Sequence, residues 1–134
     1  MNPIFLEILS MKFTNQFILK TDENGSFISF PAKTRDFGDV NIYEESPGAY
    51  ILEVGNFTHG HFDIYDGTED GRIRAAAKEV TEFLTDLFSD QLICYGSHEK
   101  GGGWYYKQSD DDEDIDWTDL FVWSGIYRRA KPTV

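Results

Sequence analysis

The stretch TEDGRIRAAAKEVTEFLTDLFSD, residues 68–90, decides how the rest of the chain is read. Its apolar residues fall at Ile73, Ala76, Ala77, Val80, Phe83, Leu84, Leu87 and Phe88. Steps of three and four put them on one side of an α-helix, which turns once every ~3.6 residues. Lys78, Glu79, Glu82 and Asp86 occupy the other side. Glu69 and Asp70 stand at the start, where unpaired backbone N–H groups favour negative charge. The spacing predicts one long amphipathic helix with a single buried stripe.

On either side of this stretch the period is two, not 3.6. Gln16–Lys20 and Ser26–Phe30 alternate apolar and polar residues around Asp22-Glu23-Asn24-Gly25, and Asn-Gly favours the positive-φ positions of a hairpin turn. DVNIYEE and AYILEVG flank Ser46-Pro47-Gly48, a second turn. HGHFDIYDG, residues 59–67, reads as a further strand. After the helix, QLICYGS and WYYKQ read as strands joined by a loop, HEKGGG. WTDLFVWSGIYRR, from Trp117, is either a last strand or a short helical turn. Links this short make antiparallel neighbours, because parallel strands need a long crossover. The expected fold is α+β: a single antiparallel, strand-rich sheet with one long amphipathic helix packed on one face. Ile73, Ala77, Val80, Leu84 and Leu87 are expected to meet that sheet.

The chain has 134 residues, which suits one domain spanning 1–134, and no repeat or linker divides it. It is 40% hydrophobic and 16% aromatic, enough to build a core rather than remain disordered. Its net charge of −12 is even: 1–66 holds 4 basic and 10 acidic groups, and 67–134 holds 8 and 14. Such a field repels nucleic acid and anionic membranes and attracts basic proteins. One cysteine, Cys94, excludes an internal disulfide, and its apolar setting marks it as a buried thiol. The opening MNPIFLEILSMKF lacks the basic segment of a signal peptide and carries Glu7. With the first strand starting beyond it, Met11 is an alternative start. No run approaches transmembrane length, and a cytoplasmic location is expected. Residues from about 128 to 134 read as a loose basic tail.

Three segments hold candidate chemistry. SDDDEDIDW, residues 109–117, packs six carboxylates into Asp110–Asp116. It is not an EF-hand loop, because Ile115 stands at the glycine position and Phe121 at the bidentate acid. Asp110, Asp111, Asp112, Glu113, Asp114 and Asp116 can instead draw a basic protein by taking the place of phosphates. Trp117, Trp104 and Tyr106 are the aromatic anchors beside them, and the alternative is a solvated loop. In the second segment, His59, His61, Asp63 and Tyr65 share one face of an extended strand, with Phe62 and Ile64 on the other. Two histidines and a carboxylate can ligate zinc or iron. The pattern resembles the opening of the metallo-β-lactamase motif but departs from it at Ile64, where a histidine would follow. A polar strand edge is the preferred reading. The third segment, KGGGW, lacks the spacing of a phosphate loop, and Ser97 beside His98 makes no triad.

No nucleophile, cofactor motif or complete metal set emerges. A small, acidic, aromatic-rich domain of this kind resembles, in its general character, the immunity proteins of bacterial toxin systems. That resemblance implies a protein that binds and neutralises a basic cognate toxin, often a nuclease, without being an enzyme. It rests on no matched motif, so it transfers no site residue. The alternatives are a metal-binding protein or metal-dependent enzyme using His59, His61 and Asp63, and an interaction module without a toxin.

Overall fold

The computed structural model describes residues 1–107 and 119–128. The acidic segment 109–117 and the basic tail beyond 128 lie outside the described residues. The fold is α+β and antiparallel, with the long helix in the expected place. Two helices and nine strands follow the order α1 (Pro3–Lys12), β1 (Ile18–Asp22), β2 (Gly25–Phe30), β3 (Val40–Ser46), β4 (Ala49–Val54), β5 (Thr58–Asp63), α2 (Glu69–Phe88), β6 (Leu92–Ser97), β7 (Gly101–Tyr106), β8 (Leu120–Val122) and β9 (Gly125–Tyr127). The strands divide between two sheets rather than forming one. The first is a meander, β1-β2-β3-β4-β5, and the second has the order β7-β6-β8-β9.

α2 has a physical cause at each end. Thr68 caps it, its Oγ1 accepting from the Gly71 N–H at 3.1 Å. At the other end Asp90 takes the left-handed conformation, φ +62°, and the Gln91 N–H closes back on the Asp86 carbonyl at 3.0 Å. The Asp90 carboxylate also accepts from the Ser124 N–H and hydroxyl, tying the β8–β9 turn to the helix end. Between the ends, Ile73, Ala76, Ala77, Val80, Phe83, Leu84 and Leu87 are buried, while Lys78, Glu79 and Glu82 are exposed.

α1 is absent from the sequence reading. Its segment, Ile4-Phe5-Leu6-Glu7-Ile8-Leu9, is apolar almost all round, so no polar face marks the period. Its start signals are present nonetheless. Asn2 Oδ1 accepts from the Ile4 N–H at 2.8 Å, and Pro3 occupies the first turn, where its missing N–H costs nothing. Phe5 and Leu9, one turn apart, are completely buried. The Phe5 ring stacks on Tyr50 at 3.8 Å, so a start at Met11 would remove part of the core.

Two turns differ from expectation in detail. The first hairpin pairs Asp22 with Gly25, so Glu23 and Asn24 form its centre and Gly25 alone has positive φ. Gly101, Gly102 and Gly103 belong to β7 and not to a loop. Close packing explains two of them: a Cβ on Gly102 would lie 2.4 Å from the Phe57 carbonyl oxygen and 2.6 Å from that of Tyr95, and one on Gly103 would meet the Tyr95 hydroxyl at 2.7 Å, whereas Gly101 has open space and a φ of +81°. The same logic joins the two sheets at β5 and β7, where a Cβ on Gly60 would meet the Trp104 ring at 2.6 Å.

One core collects the inner face of the first sheet, both helices, and Leu92, Cys94 and Trp123 of the second. A smaller cluster, Ile93, Tyr105, Leu120 and Val122, lies on the other side of the second sheet. Leu84→Ala should therefore destabilise the protein by roughly 2–5 kcal/mol, because it opens a cavity beneath α2. Glu82→Ala, on the exposed side, should cost about 0.5 kcal/mol or less. Denaturant titration of the two variants measures the difference, and equal losses would contradict the packing.

Candidate functional site

The helices cover one face of the five-stranded sheet, and the register sets what the other face displays. Because side chains alternate, Lys20, Phe27, Tyr43, Ile51 and His61 form a line across the five strands. Phe27 and Tyr43 stack within it, ring centroids 4.9 Å apart. On one side of this line lie Asn41, Glu53 and His59, and on the other Asp22, Ala49 and Asp63. Glu45 joins the second group at a bulge between Glu44 and Ser46.

Bulge neighbours have opposite fates. Glu44 turns inward, accepting from the Asn2 N–H at 3.0 Å and from the Tyr50 hydroxyl at 2.8 Å. Glu45 is exposed. On the outer face the Glu53 carboxylate accepts from Tyr43 at 2.6 Å and from Asn41 Nδ2 at 3.3 Å. Asn41 Oδ1 and its strand neighbour's Ser29 Oγ are shielded from solvent without a hydrogen-bond partner among the described residues. A polar hollow of about 260 Å³ opens here, lined by Asp39, Asn41, Glu53, Gly55, Asn56 and His98.

All three histidines of the chain converge on this face. His59 and His61 lie 5.7 Å apart, and His98, from the β6–β7 turn, stacks parallel to His59 at 6.5 Å. His98 Nε2 is 3.0 Å from the Gly55 carbonyl oxygen. The grouping that brings ligand atoms closest is not His59, His61 and Asp63. It is Glu45, His61 and Asp63, within 4.8 Å of one another, while His59 faces Glu53 across the β4–β5 pair. β5 ends at Asp63, and Tyr65 turns back to donate its hydroxyl to Asp63 Oδ2 at 3.1 Å. That bond first, then the charge of Asp63, raises the Tyr65 phenol above its usual value. Glu45 was legible only as one acid among many, because pairing across β4 and a bulge place it, and neither shows in local spacing.

The aromatic anchors named from sequence are placed differently from one another. Trp104 is half-buried, its ring 5.0 Å from Phe83 of α2, so it serves internal packing. Tyr106 is 47% exposed and donates to Asp86 Oδ2 at 3.1 Å. Asp110, Asp111, Asp112, Glu113, Asp114, Asp116 and Trp117 lie outside the described residues. Cys94 is fully buried, and desolvation pushes its thiol up to about 12, which suits a packing residue and not a nucleophile. Ser97 accepts from the Lys100 N–H at 3.1 Å and takes no part with His98.

The helical side has another character. A groove between α1 and α2 is lined by Ile8, Met11, Lys12, Arg74, Lys78, Thr81 and Glu82, so it gathers three bases. Among the described residues, no helix is long and apolar enough to cross a membrane. No family model, curated protein or solved structure matches this chain.

Tyr43 and Tyr50 should govern the alkaline limit. Desolvation first, then the hydrogen bond to Glu53 or Glu44, raises each phenol well above its usual value. A phenol held neutral in the fold stabilises it fully below the unfolded value of about 10, and this contribution is lost as pH rises through the folded value. Stability should fall as pH rises above about 10, and Tyr43→Phe should make that fall shallower. Denaturant midpoints taken between neutral and alkaline pH measure both effects.

Proposed function

We propose that this chain is a protein-binding domain that captures a basic partner on the open face of its five-stranded sheet, as an immunity protein captures a toxin. The observation that carries the reading is the make-up of that face. A central apolar and aromatic line, Phe27, Tyr43 and Ile51, runs between carboxylates: Glu53 on one side, and Asp22, Glu45 and Asp63 on the other. Lys20 is the base on the line. Protein interfaces have this anatomy, with aromatic anchors at the centre and a polar rim. Lys12, Arg74 and Lys78 sit along the helical groove, so the polarity of the molecule favours approach of a basic surface from the sheet side.

Binding of this kind needs no reaction. Carboxylates speed encounter through the long-range field, and the aromatic line sets how long the complex lasts. The segment Asp110–Asp116 adds six acids to the same field, and we assign it the same attracting role. The place of action is the cytoplasm in this reading, with no cofactor and no nucleic acid as ligand.

The test is a pull-down with the full chain, followed by association kinetics with the captured protein. The partner should be basic, and its association should slow as salt rises, since screening shortens the field to about 8 Å at physiological ionic strength. Glu45→Lys with Glu53→Lys should slow association further, and Tyr43→Ala should mainly speed dissociation. A partner whose rates ignore salt and all three substitutions would refute this surface.

A further inference from the structure

Glu45 and Asp63, two acids of the proposed docking rim, also converge with His61. Each offers one ligand atom, and the three atoms lie within 4.8 Å of one another. Local structure explains the convergence. His61 and Asp63 are two residues apart on β5 and so share a face. Opposite them, Ala49 pairs with Asp63 and carries only a methyl group. Alternation from Tyr43 puts Glu45 on the same face, and the register shift between Glu44 and Ser46 pairs Ala49 with Ser46 instead of Glu45.

The two oxygens of Asp63 are not equivalent. Oδ2 accepts from Tyr65, whereas Oδ1 is shielded from solvent and has no hydrogen-bond partner among the described residues. A shielded carboxylate oxygen without a donor or a cation is costly, and native proteins rarely keep one without reason. Two carboxylates and an imidazole that close together also leave net negative charge concentrated at one point. A bound cation would resolve both.

We propose that Glu45, His61 and Asp63 bind one divalent ion of the zinc class, with water completing the coordination. The imidazole sets the class, since magnesium and calcium take oxygen ligands while zinc accepts mixed nitrogen and oxygen sets. Three protein ligands and an open position are the pattern of exchangeable zinc sites. Bonds of about 2.0–2.2 Å require the three side chains to draw in further than they stand now, which exposed rotamers at a sheet surface allow. The Asp63 carboxylate is the second acidic ligand group, and Tyr65, donating to its Oδ2, is the outer partner that fixes it. This proposal does not depend on the docking reading, because it needs no protein partner.

The test is calorimetric titration of the chelator-stripped full-length chain with zinc chloride, with millimolar magnesium present to occupy the acid-rich segment 110–116. One equivalent should bind with micromolar affinity or better. His61→Ala and Asp63→Asn should each weaken binding at least about tenfold, and His59→Ala should change it less than twofold. Circular dichroism confirms that each variant is folded. On the wild-type chain, imidazole nitrogen resonances give a second readout that needs no variant. Zinc should shift His61 and leave His59 and His98 in place. The site is overturned by absence of saturable binding, by His61→Ala binding as the wild type does, or by His59 and His98 shifting in place of His61.

Discussion

Two aromatic side chains of α2, Phe83 and Phe88, hold the layers of this protein together. The Phe83 ring meets Phe62 of β5 at 5.2 Å and Trp104 of β7 at 5.0 Å, so it closes the seam between the sheets. Phe88 meets Phe30 of β2 at 5.0 Å, Phe13 at the end of α1 at 5.8 Å, and Trp123 of the β8–β9 turn at 4.8 Å. Such ring pairs add about 0.5–1.5 kcal/mol each beyond the area they bury. Their greater effect is geometric: one helix fixes where two sheets and a second helix must sit.

With both helices on one side of the five-stranded sheet, no helix among the described residues covers its other face, and the polar residues of β3, β4 and β5 gather there. The division is sharpest at Glu44 and Glu45. Glu44 lies inside a network with Asn2 and Tyr50 that anchors α1, and Glu45 lies outside beside His61 and Asp63. Neither carboxylate could take the other's place, because an inward acid without those two donors would be buried unpaired. Alternation along β3 thus serves the core and the surface at once.

The outer face carries more tension than the helical side, where Thr81 Oγ1 of α2 is the one shielded atom without a partner among the described residues. Like charges at Glu45 and Asp63 repel, and Asn41 Oδ1, Ser29 Oγ and Asp63 Oδ1 lack hydrogen-bond partners among the described residues. Native sheets usually satisfy such groups, so their concentration on one face separates it from ordinary solvated surface. A basic partner or a cation adds the missing positive charge, and each would act on the same side of the molecule.

Local period alone determined much of this protein. The stripe from Ile73 to Leu87 specified α2, and alternation around Asp22–Gly25 and Pro47-Gly48 specified the hairpins, because helix and strand periods are properties of neighbouring residues. The α+β class followed from them. Tertiary structure decided what depends on distant partners. It divided the strands into two sheets where Trp104 needs the bare Gly60 beneath it, and it drew the glycine run into β7, where close approach at Gly102 and Gly103 excludes a side chain. It made α1 a core helix through Phe5 on Tyr50, a contact across 45 residues of chain. It also exchanged His59 for Glu45 beside His61 and Asp63. Spacing within β5 names residues on one face, but only the pairing of β3, β4 and β5 brings an acid from another strand within reach.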